Sequence, residues 1–283
     1  MTPNHNARGI FLMAGASLSF ALMASAIKSV SRSFSAPEIV FIRSALGLIF
    51  IAGLMAKTRA PWIGREPRFL VARGVVGFTA MVLYFWAISQ IDLGTAMMLN
   101  YTSPIFAFIL AHLLFRERST ALIKAALFLS FIGVYLLTAP QLAAKPLPLL
   151  VALFSGMLVG VVHVLIRYSH AEEAPLTIIF YFTTISVLGS GLLLVKTGFA
   201  APLAGEWPGL LAVTATSMLG QLGLTYSLRS APVSVVSPFA YLTPVFGLFL
   251  GGWFWKEPLP AMSLAGSVLI ILCGMIAYKY QAD

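Results

Sequence analysis

Two tyrosine–proline pairs, Tyr101 with Pro104 and Tyr241 with Pro244, stand 140 residues apart in this 283-residue chain. Both prolines fall inside apolar runs where helices are expected. Proline has no N–H and crowds the carbonyl four residues back, so the carbonyls of Asn100 and Ala240 are expected to lose their helical partners. In hydrocarbon surroundings such a group must be met by protein, water or ligand. The chemistry on offer is a pair of bare carbonyls beside two phenol rings, suited to an ammonium group. A plain kink that fits curved helices together is the competing reading.

Other polar groups recur at helical spacing. Thr214, Ser217, Gln221 and Thr225 share one face, as do Ser234, Ser237, Tyr241 and Pro244. Ser155, His163 and Arg167 form a third stripe, and Arg73, Gly77, Met81 and Tyr84 a fourth. A polar face turned to lipid is costly, so such faces should line a wet interior. Small hydroxyl residues also glue membrane helices together, which is the better reading for the Ser and Thr positions alone. Gln221, Asn100 and His163 are expected in a cavity. The candidate binding set is therefore Tyr84, Asn100, Tyr101, Pro104, His163, Gln221, Ser237, Tyr241 and Pro244.

Arg43 and Arg73 fall within apolar runs, at about 2.5–3.5 kcal/mol each if placed at a helix centre. Both stand near the start of their run, so snorkelling to the interface is expected, with a carboxylate contact at a cavity mouth as the sharper alternative. All nine acidic residues lie in loops or at run ends. No deep carboxylate is left to relay protons or to balance a lipophilic cation. His163 is the one deep group that titrates near neutrality, and a packing histidine is an equal reading. His112 is expected at an interface, and Met81 and Met97 suit an adaptable apolar wall. No Gly-rich phosphate loop, Cys/His ligand set or nucleophile–base–acid constellation is present, so no enzyme, cofactor or metal is expected. The single cysteine, Cys273, has no partner within the chain for a disulfide.

The elements that must hold these residues follow from composition. The chain is 59% hydrophobic and 10% charged, against about 25% charged in soluble domains, and its mean hydropathy is +0.93. This predicts an integral membrane protein. Taking about 20 apolar residues per span, the runs near 9–28, 37–56, 69–90, 93–115, 120–139, 147–168, 175–196, 207–228, 232–254 and 260–279 predict ten transmembrane helices. The first is expected to stay as a helix, since no small-residue cleavage pattern follows it. Pro37, Pro175 and Pro260 suit first turns, Ser119 or Thr120 a helix cap, and Trp62, Trp207, Trp253 and Trp255 an aromatic belt. With the N-terminus inside, eleven Lys and Arg fall on the inner side against five outside. Both termini are therefore expected in the cytoplasm.

The tyrosine–proline pairs belong to a longer repeat. Aligning 101–135 with 241–275 matches Tyr101/Tyr241, Pro104/Pro244, Phe106/Phe246, Leu110/Leu250, Glu117/Glu257, Ala121/Ala261, Ala125/Ala265 and Leu129/Leu269, with Arg116 facing Lys256. Two repeated units are expected, residues 1–140 and 147–283. Five helices per unit is odd, so the second copy is expected upside down, with a solute site near the midplane where the halves meet.

The stretches PIFAFILAHLLFRERST and PVFGLFLGGWFWKEPLP, each followed by an apolar helix with a late glycine (Gly133, Gly274), resemble the drug/metabolite transporter superfamily. The resemblance is to its EamA-type branch, covers essentially the whole chain, and is nearest to bacterial exporters of amino acids, aromatic and neutral ones included. It implies an all-α membrane protein of two inverted five-helix repeats around a central cavity, in the bacterial inner membrane. The small four-helix relatives in that superfamily rely on a glutamate in their first helix, and the first helix here has none. The expected cargo is a neutral or zwitterionic metabolite, since no fixed deep charge is foreseen, carried by alternating access. Lipid and a small solute are the expected partners, not nucleic acid. A nucleoside-like solute or S-adenosylmethionine is the alternative cargo, although that cation would favour deep acids. A non-transporting scaffold would need no continuous polar stripes.

Overall fold

The computed structural model describes residues 3–115, 121–142, 145–168, 173–230 and 237–281. Arg116, Glu117, Ser119, Thr120, Glu172, Ser234 and Asp283 lie outside them, as do the side chains of Pro104, His112, Arg167 and Ser237. The described chain runs through α1 (Pro3–Val30), α2 (Ala36–Thr58), α3 (Pro67–Gln90), α4 (Leu93–Asn100), α5 (Ser103–Phe115) and α6 (Ala121–Leu142). It continues through α7 (Pro146–Tyr168), α8 (Pro175–Thr197), α9 (Trp207–Ser230), a 3-10 turn (Ser237–Tyr241), α10 (Leu242–Trp255) and α11 (Ala261–Gln281). Among the described residues, five helices are long and apolar enough to cross a membrane, within α1, α2, α3, α7 and α8. Helix α9 is as long but more polar, and shorter apolar stretches occupy α6, α10 and α11.

Among the described residues, the ten apolar runs become twelve helical pieces. The fourth run is two helices, α4 and α5, and the ninth is the 3-10 turn followed by α10. Pro104 and Pro244 are therefore not mid-helix kinks. Each sits in the first turn of a new helix, where its missing N–H has no helical acceptor to lose. Pro37 and Pro175 do stand in first turns, whereas Pro260 lies one residue ahead of α11.

Helix α1 packs on α9, α3 on α7, α2 on α8, α6 on α11 and α4 on α10. Glycines set several of these distances. At the crossing of α6 and α11, a Cβ on Gly133 would stand 3.0 Å from the Gly266 carbonyl oxygen. On α9, Gly220 and Gly223 admit Phe20 and Ala16 of α1. Large apolar side chains such as Ile49, Phe128, Leu192 and Trp253 point outward, as a lipid-facing surface requires. Trp62, Trp207 and Trp253 are exposed, and Trp255, at the end of α10, is half-buried. Its ring lies beside Lys28 and Arg32, at 5.9 and 5.3 Å, and its Nε1–H donates to Ser25 Oγ at 3.3 Å.

One end of the bundle carries a polar knot. Glu257, in the turn after α10, pairs with Lys28 Nζ of α1 and accepts from the Leu93 N–H at the start of α4, 2.8 Å to Oε2. Gly251 makes the room, since a Cβ there would run into Glu257 Oε2. Lys256 adopts φ +52°, which turns the chain so that Glu257 faces inward. Lys28 Nζ also donates to the Ile91 carbonyl at 2.9 Å. Neighbouring Asp92 is held above the usual carboxylate range, first by burial and next by the charge of Glu257, against the pull of Lys28 and Lys145.

Candidate functional site

The break between α4 and α5 is made locally. Proline at 104 offers no N–H to Asn100, and the residue before a proline is biased away from helical geometry. Tyr101 and Thr102 form the turn, with the Thr102 hydroxyl donating to the Leu99 carbonyl at 2.6 Å. Helix α7 backs onto this turn through Gly156 and Gly160. A Cβ on Gly156 would stand 2.6 Å from the Leu99 carbonyl oxygen, and one on Gly160 would stand 2.9 Å from that of Ser103. Asn100 reaches across as well, its Nδ2 donating to Ser155 Oγ at 3.0 Å. The second break is backed by α1, whose Ser17 Oγ donates to the Phe239 carbonyl at 3.1 Å.

The two breaks face each other. The rings of Tyr101 and Tyr241 lie 6.4 Å apart between centroids, tilted by 58°. Tyr84 of α3 joins them near Tyr101, and Pro244 is buried one turn along from Tyr241. The Tyr241 hydroxyl and Thr243 Oγ1 are buried without a hydrogen-bond partner, although Thr243 lies close to the Tyr101 side chain. Gln221 is half-buried on α9 and belongs to the stripe with Ser217. The His163 side chain on α7 is open to a molecule the size of water yet surrounded by protein, within electrostatic reach of Arg73.

The largest departure from expectation is Arg43. It does not snorkel: only 3% of its surface is exposed. Its Nε–H donates to Ser217 Oγ of α9 at 2.6 Å, and Nη1 lies 3.1 Å from Met81 Sδ of α3. The guanidinium stands 5.8 Å from the centre of the Phe182 ring of α8. The interior therefore holds a fixed positive charge, against the reading that it carries none. Arg73 is half-buried, with its Nε enclosed and without a partner. Thus the α3 stripe of Arg73, Gly77, Met81 and Tyr84 runs past His163, Phe182, Arg43 and Tyr101 in turn.

Sequence reasoning passed over Gly156, Gly160 and the inward position of Arg43. The four-residue spacing of the two glycines is a close-packing signal. For Arg43 the signal is its row: Arg43, Gly47, Ile51 and Met55 recur every four residues, and all four are buried.

A many-helix apolar bundle with polar groups turned inward at two facing helix breaks defines a multi-pass membrane protein. The chain belongs to the EamA-like transporter family, whose profile matches it twice, over residues 7–139 and 146–278. It is 31% identical over 266 residues to the pseudopaline exporter CntI of Pseudomonas aeruginosa, covering 93% of each chain. It is 28% identical over 282 residues to an uncharacterized transporter of Helicobacter pylori, covering 95% of this chain and 93% of that one. A riboflavin transporter of Brucella anthropi is 24% identical over 75% of this chain and 76% of its own. A crystal structure that covers 95% of this chain and 96% of its own shares the fold, with a TM-score of 0.63 at 14% identity.

Proposed function

We propose that the chain is a secondary transporter of small amino-acid-like metabolites in the bacterial inner membrane, with both termini in the cytoplasm. It works by alternating access between two inverted five-helix halves, residues 1–140 and 147–283. The helix pairing supports the two-fold. Exchanging the halves carries the α1–α9 contact into α7–α3 and the α1–α10 contact into α7–α5. The same exchange leaves α2–α8 and α6–α11 unchanged. Discontinuous helices that meet at the midplane are the usual place for a solute in such folds.

The observation that carries the reading is the pair of buried, unpartnered hydroxyls, Tyr241 and Thr243, where the two broken helices face each other. A buried hydroxyl without a partner costs about 1–3 kcal/mol, a cost that a bound polar solute removes. The tyrosine rings alongside suit an apolar or aromatic side chain. Aromatic and other neutral amino acids are the first candidates. A second reading, a solute like the pseudopaline named for the Pseudomonas relative, is favoured by the 31% identity over 93% of both chains.

The test is counterflow into liposomes of purified protein, with labelled phenylalanine against unlabelled amino acids, riboflavin and pseudopaline. Exchange of neutral amino acids, lost in Tyr101→Ala, supports the reading. Exchange of pseudopaline alone selects the second reading. No exchange of any solute removes both.

A further inference from the structure

Arg43 is a charged group at the meeting of α2, α3, α8 and α9, and among the described residues none of its neighbours is negative. Its partners are a hydroxyl, a thioether and an aromatic face: Ser217 Oγ at 2.6 Å, Met81 Sδ at 3.1 Å and the Phe182 ring at 5.8 Å. Among the described residues no carboxylate pairs with Arg43 or Arg73, whereas Lys28 and Glu257 pair with each other at one end of the bundle. A guanidinium has five N–H donors; here the Nε–H has a good acceptor and Nη1 has only a weak sulfur one. A buried cation left in this condition is expensive unless something negative joins it.

The second arginine lies along the same face. Arg73 precedes Met81 by eight residues, about 12 Å along the axis of α3, and its Nε is buried without a partner. Gly77 lies between them, and a Cβ there would stand 3.2 Å from the Phe182 ring and 3.9 Å from Val162. The two guanidinium groups thus flank one strip of α3, and the lack of a side chain at Gly77 keeps that strip thin. His163 is the titratable group facing Arg73 across from α7.

We propose that Arg43 is the receptor for a carboxylate of the transported solute, with Arg73 as a second anion station nearer the end at which α3 begins. This rests on the transporter reading and names the solute class within it. The planar fork of Arg43 matches a carboxylate in two parallel hydrogen bonds. Ser217 fixes the Nε side of the fork, and the Phe182 ring fixes its plane. The solute's carboxylate then supplies the missing negative charge, and its remaining atoms extend toward Tyr84, Tyr101 and Tyr241. A solute without a carboxylate leaves the cation bare and binds weakly.

The test is thermal stabilisation of the purified full chain in phosphatidylcholine nanodiscs, which needs no turnover. The probes are matched pairs: phenylalanine with phenylalaninamide, 3-phenylpropionate with its amide, and glutarate with glutaramide. At least one acid is expected to bind about tenfold or more tightly than its amide, and the difference is expected to vanish in Arg43→Gln. Arg43→Lys, which keeps the charge and loses the fork, should retain part of the preference; this variant also serves if Arg43→Gln does not fold. The proposal is overturned if every acid and its amide bind wild type equally. It is also overturned if Arg43→Gln keeps the preference, or if added phosphatidylglycerol abolishes it, which would make the anion a lipid headgroup. Counterflow of a solute without acid preference leaves the transporter standing and removes only the carboxylate site.

Discussion

Thr243 lies next to Pro244 with its hydroxyl enclosed and unpartnered, and only 1% of its surface is exposed. Replacing it by valine deletes a polar atom with no protein partner in good hydrogen-bond geometry, the Tyr101 hydroxyl being its nearest polar neighbour. Thr243→Val is therefore expected to melt at or slightly above the wild-type temperature while solute affinity falls severalfold, as ligand titration in the melting assay would show. A loss of stability of about 1 kcal/mol or more would mean that the hydroxyl is satisfied by the protein, with no role left for a solute. Residue-scale roles were only partly legible. Tyr101, Tyr241 and Asn100 stood out because aromatic and amide groups are rare in apolar runs. Arg43 was misread because its distance from the helix start suggested an easy reach to the interface. Distance along a helix does not say which way a side chain faces. The row Arg43–Gly47–Ile51–Met55 does, set against Ile49 exposed on the opposite side.

At the scale of the element, the broken helices depend on what lies behind them. Gly156 and Gly160 let α7 approach the turn at Tyr101–Thr102 until backbone touches backbone. A methyl group at Gly156 meets a carbonyl oxygen held in its own turn, which cannot swing aside as the tip of a flexible side chain could. Gly156→Ala is expected to cost about 1–3 kcal/mol and to lower the melting temperature by several degrees. Gly15→Ala and Gly53→Ala, where the added atom would meet nothing within 4 Å, should be silent or slightly stabilising. Equal effects at the three sites would refute the close-approach argument. Both prolines were legible as interruptions. That the helices stop and restart was not, because a proline in a first turn and a proline in a kink leave the same mark on an apolar run.

Across the whole molecule, Glu257 joins three segments at one end: α1 through Lys28, the start of α4 through Leu93, and its own turn after α10. Any motion that separates α1 from α10 at that end must break this knot. Glu257→Gln keeps the size and loses the charge. It is expected to raise labelling of a cysteine placed at Ser25 by a membrane-impermeant reagent, and unchanged labelling would show that the knot does not hold that end together. Asp92 adds a pH dependence. Its folded-state pKa is raised, so the folded protein binds more protons than the unfolded chain between its ordinary value of 3.8 and the raised one. Stability from this group is therefore lost as pH rises through that window. Asp92→Asn should melt higher than wild type at pH 7, with the gap closing toward pH about 4. A gap that persists there would point to packing instead. The repeat was legible from eight matched positions in 35, because prolines and charges stand out against an apolar background. Which helices touch was not legible, since apolar faces carry no addresses. In that register Glu257 has its counterpart in sequence at Glu117.

The knot also contains its own optical reporter. Trp255 stacks beside Lys28 and Arg32 and donates to Ser25, so its indole is held by the charges that any opening of that end must separate. Three of the other four tryptophans, Trp62, Trp207 and Trp253, are exposed on the outer surface and answer to the lipid instead. The difference between the emission spectra of wild type and Trp255→Phe isolates the one indole that senses the knot. Addition of solute should shift that difference spectrum in wavelength or intensity, so opening and closing can be followed in real time without attaching a dye.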